Sequence, residues 1–253
     1  MSFNFSSEFV IALALAFVRS LAWVSICPPF SNSSIPMMGK VIIAGAVSLF
    51  AANSLQHDTL PQSDAAFMIQ IVLQALVGLV LGFVVFLFVT AVVGAGSLID
   101  LFSGINLPQA LDPLSLQQTS AFGQFYNLVM TVLLFTSGSV VVIAGGFIRS
   151  FSAIGTSFPT TTSGFLAQTI SRDVATFFAA ALEIAAPVIV VLFATQVLLA
   201  LLAKAVPQIN VFIFGMPLQV LVALLGVGVV ISALPSDVVN LVGRAMSQLF
   251  GGI

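Results

Sequence analysis

Residues 65–102 carry a single charged side chain, Asp100, in an otherwise apolar stretch. Such a stretch restricts its own backbone. Lipid offers no water to N–H and C=O groups, so they must be satisfied inside the segment. Long uniform runs such as Val80 to Val93 lack the period-two alternation of a barrel strand. The stretch therefore predicts helix. At ~1.5 Å per residue it would reach ~57 Å, nearly twice the roughly 30 Å hydrocarbon core. It either breaks near Gly94-Ala95-Gly96 or extends well outside the bilayer.

Five further apolar segments lie near residues 9–27, 41–52, 121–148, 174–203 and 218–234. Residues 41–52 are too few to cross a bilayer unless Ser48 to Leu55 extends them. Of the 253 residues 60% are hydrophobic and 6% charged, against about 25% charged in ordinary soluble domains. That excludes a soluble globule, which would expose too much apolar surface. The fold class expected is all-α, an integral membrane-associated protein of helical hairpins with about six long apolar helices. No basic residue precedes Arg19, so the first segment does not read as a signal peptide. Glu8 follows the capping residues Ser6 and Ser7, where a helix start favours negative charge. With six spans, Arg149, Arg172 and Arg244 would face Lys40 and Lys204 across the membrane, a bias too small to set orientation.

Chemistry-bearing constellations are missing from the sequence. The lone histidine, His57, sits in the polar link from Asn53 to Asp64, without other residues at metal-ligand spacing. Gly94, Gly96 and Gly104 lack the Gly-Lys-Ser/Thr of a phosphate loop. A net charge of −2 with no basic face excludes nucleic acid as a partner. The single cysteine, Cys27, excludes an internal disulfide and reads as a small buried apolar residue. No catalytic residue, cofactor or metal is expected.

Arg19, Asp100 and Glu183 interrupt apolar runs. Each costs about 2.5–3.5 kcal/mol at a helix centre, so each needs a partner or an aqueous surface. They read either as an ion relay or as pairing between helices or subunits, with Arg19 facing one of the acids. Gly78 and Gly82 form a Gly-x-x-x-Gly that permits close backbone approach.

Two segments depart from plain spans. From Asp100 to Gln124, Gly104, Pro108 and Asp112-Pro113 break the helix, while Leu107, Leu111, Leu114 and Leu116 stay apolar beside Ser115 and Gln117. This is either an external loop or a re-entrant plug. Further on, a run from Ala185 to Ala203 meets Lys204-Ala-Val-Pro207-Gln208-Ile-Asn210-Val-Phe212-Ile-Phe214-Gly215-Met-Pro217, before a charge-free run from Leu218 to Leu234. Four large apolar residues, Val211 to Phe214, then sit in a turn between two prolines, and such a turn packs against protein or lipid. Pro187 inside the preceding run is expected to kink it.

Ala186-Pro187, Pro207-Gln208-Ile-Asn210-Val-Phe212 and Gly215-Met-Pro217 closely resemble the C-terminal signature of the FliR family. Gly96-Ser-Leu-Ile-Asp100, Gly104 and Asp112-Pro113 stand in that family's order, as do Arg19, Pro29-Phe30 and Ile35-Pro36 before Lys40. The family is the flagellar member of the export-gate proteins, related to the SctT/SpaR proteins of type III secretion systems. The resemblance implies a non-enzymatic subunit of the channel for unfolded export substrates, in the bacterial inner membrane at the flagellar basal body. Its implied partners are FliP-like and FliQ-like subunits, with FlhB and FlhA, alongside membrane lipid.

The resemblance further implies one export-gate domain over 1–253, in which a FliP-like part, 1–170, joins a FliQ-like hairpin, 171–253. The segment 104–120 matches the family's plug, so Gly104, Leu107, Pro108, Leu111, Asp112, Pro113, Leu114 and Ser115 are assigned to it. Arg19, Pro187, Pro207, Gln208, Asn210, Phe212, Gly215 and Pro217 are assigned to subunit packing. The alternative is a small-molecule or ion transporter, which needs inverted repeats with matching broken helices. The breaks Pro28 to Pro36 and Pro207 to Pro217 are loosely alike, but their flanks do not match.

Overall fold

The computed structural model describes residues 7–32, 35–55, 63–105, 120–155, 162–208 and 210–250. They form eight α-helices: α1 (Ser7–Ile26), α2 (Met37–Leu55), α3 (Asp64–Ser103), α4 (Ala121–Thr136), α5 (Ser139–Ile154), α6 (Thr162–Ala205), α7 (Val211–Val230) and α8 (Leu234–Phe250). Four of them contain stretches long and apolar enough to cross a membrane, or five spans result if α4 and α5 count as one. Two compact units divide the chain. One holds residues 1–87, 138–174 and 241–253; the other holds 88–137 and 175–240.

In the first unit, α1 packs on α2, and α2 on α5. Phe9, Ala12, Leu15, Ala16, Arg19, Trp23 and Val24 are all buried, at the three- and four-residue spacings that stack on one helix face. On α3, Gly78 and Gly82 lie against that same helix. A Cβ on Gly78 would overlap the carbonyl oxygen of Arg19, and one on Gly82 would come within 3.1 Å of the Trp23 oxygen. The Gly-x-x-x-Gly thus lets two backbones approach to a distance side chains forbid, as the spacing suggested. Trp23 is stacked on Phe147 of α5 with centroids 4.2 Å apart and planes at 10°, and Phe147 meets Phe151 edge-on at 5.2 Å. Cys27 is buried and free, in keeping with the small apolar role expected of it.

The second unit is built on the closing turns of α3, α4, most of α6, and α7. α6 and α7 pack as a hairpin, with Gly226 against Val188: an added Cβ would lie 3.1 Å from Val188 Cγ1. Outward, both helices stay apolar. Only 22% of the most apolar window in α6 and 17% of that in α7 is buried within the chain.

Of the two outcomes expected for residues 65–102, extension rather than a break is observed, while several other boundaries differ from the sequence expectations. α3 runs unbroken through Gly94 and Gly96, because a helix that buries its glycines against a neighbour loses little by their lack of side chains. The segment 121–148 is two helices, parted at Ser137-Gly138 where Gly138 takes φ 72°, a conformation glycine adopts without steric cost. α6 begins at Thr162 and continues through Pro187. Most consequentially, Val211 to Pro217 belong to α7, so the turn is confined to Val206–Asn210 and the four apolar residues are helical. α8 appears in none of the apolar runs. Its buried residues Leu234, Val238, Leu241, Val242 and Ala245 follow a helical period, but Asp237, Asn240 and Arg244 between them keep the segment from reading as apolar.

Candidate functional site: the two ends of the loop after α3, and the buried Arg19

The last turns of α3 and the start of α4 are tied by one carboxylate. Asp100 is fully buried. Its Oδ2 accepts the Ser120 hydroxyl and, at 3.0 Å, the backbone N–H of Phe122. Ser120 is the N-cap of α4, with φ −62° and ψ 117°, and its Oγ accepts the Gly123 N–H at 2.8 Å. One short chain of hydrogen bonds thus satisfies two of the donors that a helix start leaves open. The carboxylate also sits at the positive end of the α4 dipole, where charge-assisted bonds to N–H groups are strong. That is how an acid is tolerated on an apolar helix.

Neighbouring residues reinforce this point. Ser103 Oγ donates to the Asp100 carbonyl at 3.0 Å, and Gln196 Nε2 of α6 donates to the Phe102 carbonyl at 2.9 Å. Both occupy carbonyls at the C-terminal end of α3, which has no helical donors left for them. Gly96 lets α4 come close, since a Cβ there would lie 2.5 Å from the Phe122 oxygen and 2.8 Å from Gly123 N. Gly104 ends α3 with φ 75°, the left-handed geometry of a helix C-terminus. Residues 100–105 and 120–123 are therefore held together, and the chain between them leaves and returns at one place.

Arg19 is a second buried ionisable residue; Asp173 on α6 is a third. Its Nε donates to Gln74 Oε1 at 2.5 Å, Nη1 to the Ser150 carbonyl at 3.2 Å, and Nη2 to the Gly155 carbonyl at 2.6 Å. The guanidinium carbon stands 4.4 Å over the Phe151 ring, a cation–π arrangement. Gln74 is itself buried and its Nε2 donates to the Gly155 oxygen at 3.4 Å. Cation and amide together cap the carbonyl end of α5, the negative end of its dipole. These bonds run to carbonyls and an amide of the same chain. Sequence reading pointed toward an acid, and nothing in the spacing marks Gln74, Ser150 or Gly155.

The remaining expected residues separate clearly. Leu107, Pro108, Leu111, Asp112, Pro113, Leu114 and Ser115 lie outside the described residues, as does His57. Pro207 and Gln208 are exposed in the turn. The Asn210 carbonyl accepts the Ile213 N–H at 3.0 Å, opening α7. Gly215 is buried, Pro217 is exposed in the second turn of α7, and Pro187 is exposed on α6. Phe212 lies in α7 with its side chain outside the described residues; Ile213 and Phe214 beside it are 63% and 67% exposed. Glu183 faces outward on α6. Sequence reasoning missed Ser120 and Gln196, which hold the loop ends. Ser120 carried a visible signal, a serine directly before an apolar helical run.

Spanning-length apolar helices, with Arg19 and Asp100 each given to a helix end, define an all-helical membrane protein. Residues 10–245 match the model of the bacterial export proteins, family 1, and the chain belongs to that family, the family of FliR. It is 28% identical over 214 residues to the flagellar biosynthetic protein FliR of Bacillus subtilis, covering 84% of this chain and 83% of that one. With FliR of Escherichia coli it shares 26% identity over 243 residues, covering 92% and 91%. With the secretion system apparatus protein SsaT of Salmonella typhimurium it shares 24% over 230 residues, covering 87% and 86%.

Proposed function

We propose that this chain is a non-enzymatic subunit of a flagellar type III export gate. It forms part of the channel for unfolded export substrates, and its segment 104–120 serves as the plug of the resting pore. Family membership across nearly the whole chain supports the export role. The observation that carries the plug assignment is the closed base after α3. A segment studded with Leu107, Leu111 and Leu114 emerges and returns between residues tied by Asp100 and Ser120. An apolar constriction on such a base seals against ions without fixed hydrogen bonds to any one substrate sequence.

Helix length supports an assembled rather than a solitary state. α3 has 40 residues and α6 has 44. At ~1.5 Å each these amount to ~60 and ~66 Å of helix, about twice the hydrocarbon core. Apolar surface beyond lipid reach has to be covered by protein. On this reading the partners are FliP-like and FliQ-like subunits, with FlhB and FlhA associated, in the bacterial inner membrane at the flagellar basal body. Residues 1–170 then act as a FliP-like part and 171–253 as a FliQ-like hairpin, whose exposed Ile213 and Phe214, with Phe212 and Pro217, form packing surface, while Gly215 is buried within the chain.

Deleting Leu107 to Ser115 and measuring ion leak through the assembled complex tests the plug. The expected result is a leak at rest. Unchanged conductance in an intact complex rejects it.

A further inference from the structure

We infer that Asp100 is the positioning residue of this loop: its carboxylate fixes where the segment between α3 and α4 begins and ends. The inference rests on the plug reading for its functional consequence, and on geometry alone for the clasp itself. Three observations support it. Asp100 is fully buried on an apolar helix, where a carboxylate is retained only if something uses it. Both of its described acceptor bonds converge on one oxygen, Oδ2, from two donors beyond the loop, the Ser120 hydroxyl and the Phe122 N–H. And the segment just before the loop is pinned from a different helix, through Gln196 to the Phe102 carbonyl.

The chemistry makes a specific demand. What Ser120 and Phe122 need is an acceptor oxygen at the Oδ2 position, not a negative charge as such. An asparagine can place its amide oxygen there and accept both donors, because one sp2 oxygen carries two lone pairs, but its NH2 then takes the buried Oδ1 position, where no described residue meets it. An alanine leaves a buried N–H and a buried hydroxyl without that acceptor. Ser120→Ala breaks the same clasp from the far side and spares Asp100. Gly96 sets the register, since α4 can sit this close to α3 only where α3 lacks a side chain. The end of α3 and the start of α4 thus share one fixed base.

The test uses the complete chain in the complex it forms with its co-expressed partner subunits. Spin labels are placed at the exposed positions Leu101 and Gln124, in a Cys27→Ala background, and the inter-label distance is measured with ion leak. For the unmodified clasp a single narrow distance and a low leak are expected; Asp100→Asn, which keeps the acceptor but buries an NH2 with nowhere to donate, should fall between it and Asp100→Ala. For Asp100→Ala and Ser120→Ala, the distance distribution broadens and the leak rises toward that of the 107–115 deletion. A narrow distance and low leak in both Asp100→Ala and Ser120→Ala, with the complex intact, overturn the inference. Should Asp100→Ala fail to assemble, Ser120→Ala decides. A broadened distance without leak upholds the clasp and sinks the plug reading instead, so the two fail separately.

Discussion

Arg19 donates from Nη2 to the carbonyl oxygen of Gly155 at 2.6 Å, reaching from the middle of α1 to the end of α5. The contact joins residues far apart in sequence and gives a buried cation the carbonyls of a helix C-terminus. Asp100 shows the converse, a buried anion given the N-terminus of α4. In both cases the cost of burying a charge is offset by backbone groups that a helix end would otherwise leave open.

Arg19→Met should therefore destabilise the protein strongly. It leaves the Ser150 and Gly155 carbonyls and the Gln74 oxygen without these donors, and a buried polar group left unsatisfied costs about 1–3 kcal/mol. Arg19→Lys retains the charge but cannot reach three acceptors from one planar fork, so it should fall between. Thermal unfolding of the purified complex measures both. Equal stability of Arg19→Met and the parent would show that the network carries no stability.

Gly78→Ala should be costly although it adds only a methyl. The new Cβ meets the Arg19 backbone oxygen, and a backbone cannot swing aside as a side chain tip can. Overpacking of this kind costs roughly 1–3 kcal/mol. Gly82→Ala, with its nearest contact at 3.1 Å, should cost less. The order of the two melting temperatures is the measurement, and a Gly78→Ala protein that melts with the parent contradicts the crossing geometry.

Cys27 should resist alkylation. Burial pushes its thiol well above the usual cysteine range, and the thiolate is the reactive species. In the folded complex at neutral pH a maleimide should label it slowly, and denaturant should restore ordinary labelling. Because the folded pKa is raised, modest alkalinity that ionises an exposed cysteine should accelerate the folded rate little. Rapid labelling of the native complex at neutral pH would count against the burial.

How much of this was legible in the sequence depends on the kind of signal. The helical class, the all-α membrane character and the close approach at Gly78 and Gly82 follow from apolar runs and glycine spacing. Scanning for runs detects hydrophobicity rather than period, so α8 escaped: its buried residues are separated by Asp237, Asn240 and Arg244. Val211 to Phe214 read as a turn because Pro217 looked like a terminator. Pro217 lies only two turns into α7, where the missing N–H deprives a carbonyl near the helix start. Two acceptors of Arg19, the Ser150 and Gly155 carbonyls, and the Phe122 donor to Asp100 are backbone atoms, identical in every residue type, and only folding says which carbonyl or N–H is near. Ser120 stands in the sequence reading only as part of the 104–120 segment, although a serine directly before an apolar helical run is a cap signal.

The α6–α7 hairpin allows a sharper test than any single substitution. Gly226 sits against Val188, with an added Cβ 3.1 Å from Val188 Cγ1 and 3.5 Å from Cγ2. That spacing is tight, but the neighbour is a side chain, so Gly226→Ala should cost about 1 kcal/mol or a little more. Val188→Ala alone removes buried methyl groups and should also destabilise. Combined, the two should cost clearly less than their sum, since the methyl lost from Val188 makes room for the one gained at position 226. Coupling between residues in contact is typically about 0.5–3 kcal/mol. A double-mutant cycle on melting of the assembled complex measures it. Strict additivity would mean that the two residues do not touch, and the packing of this hairpin would then have to be drawn differently.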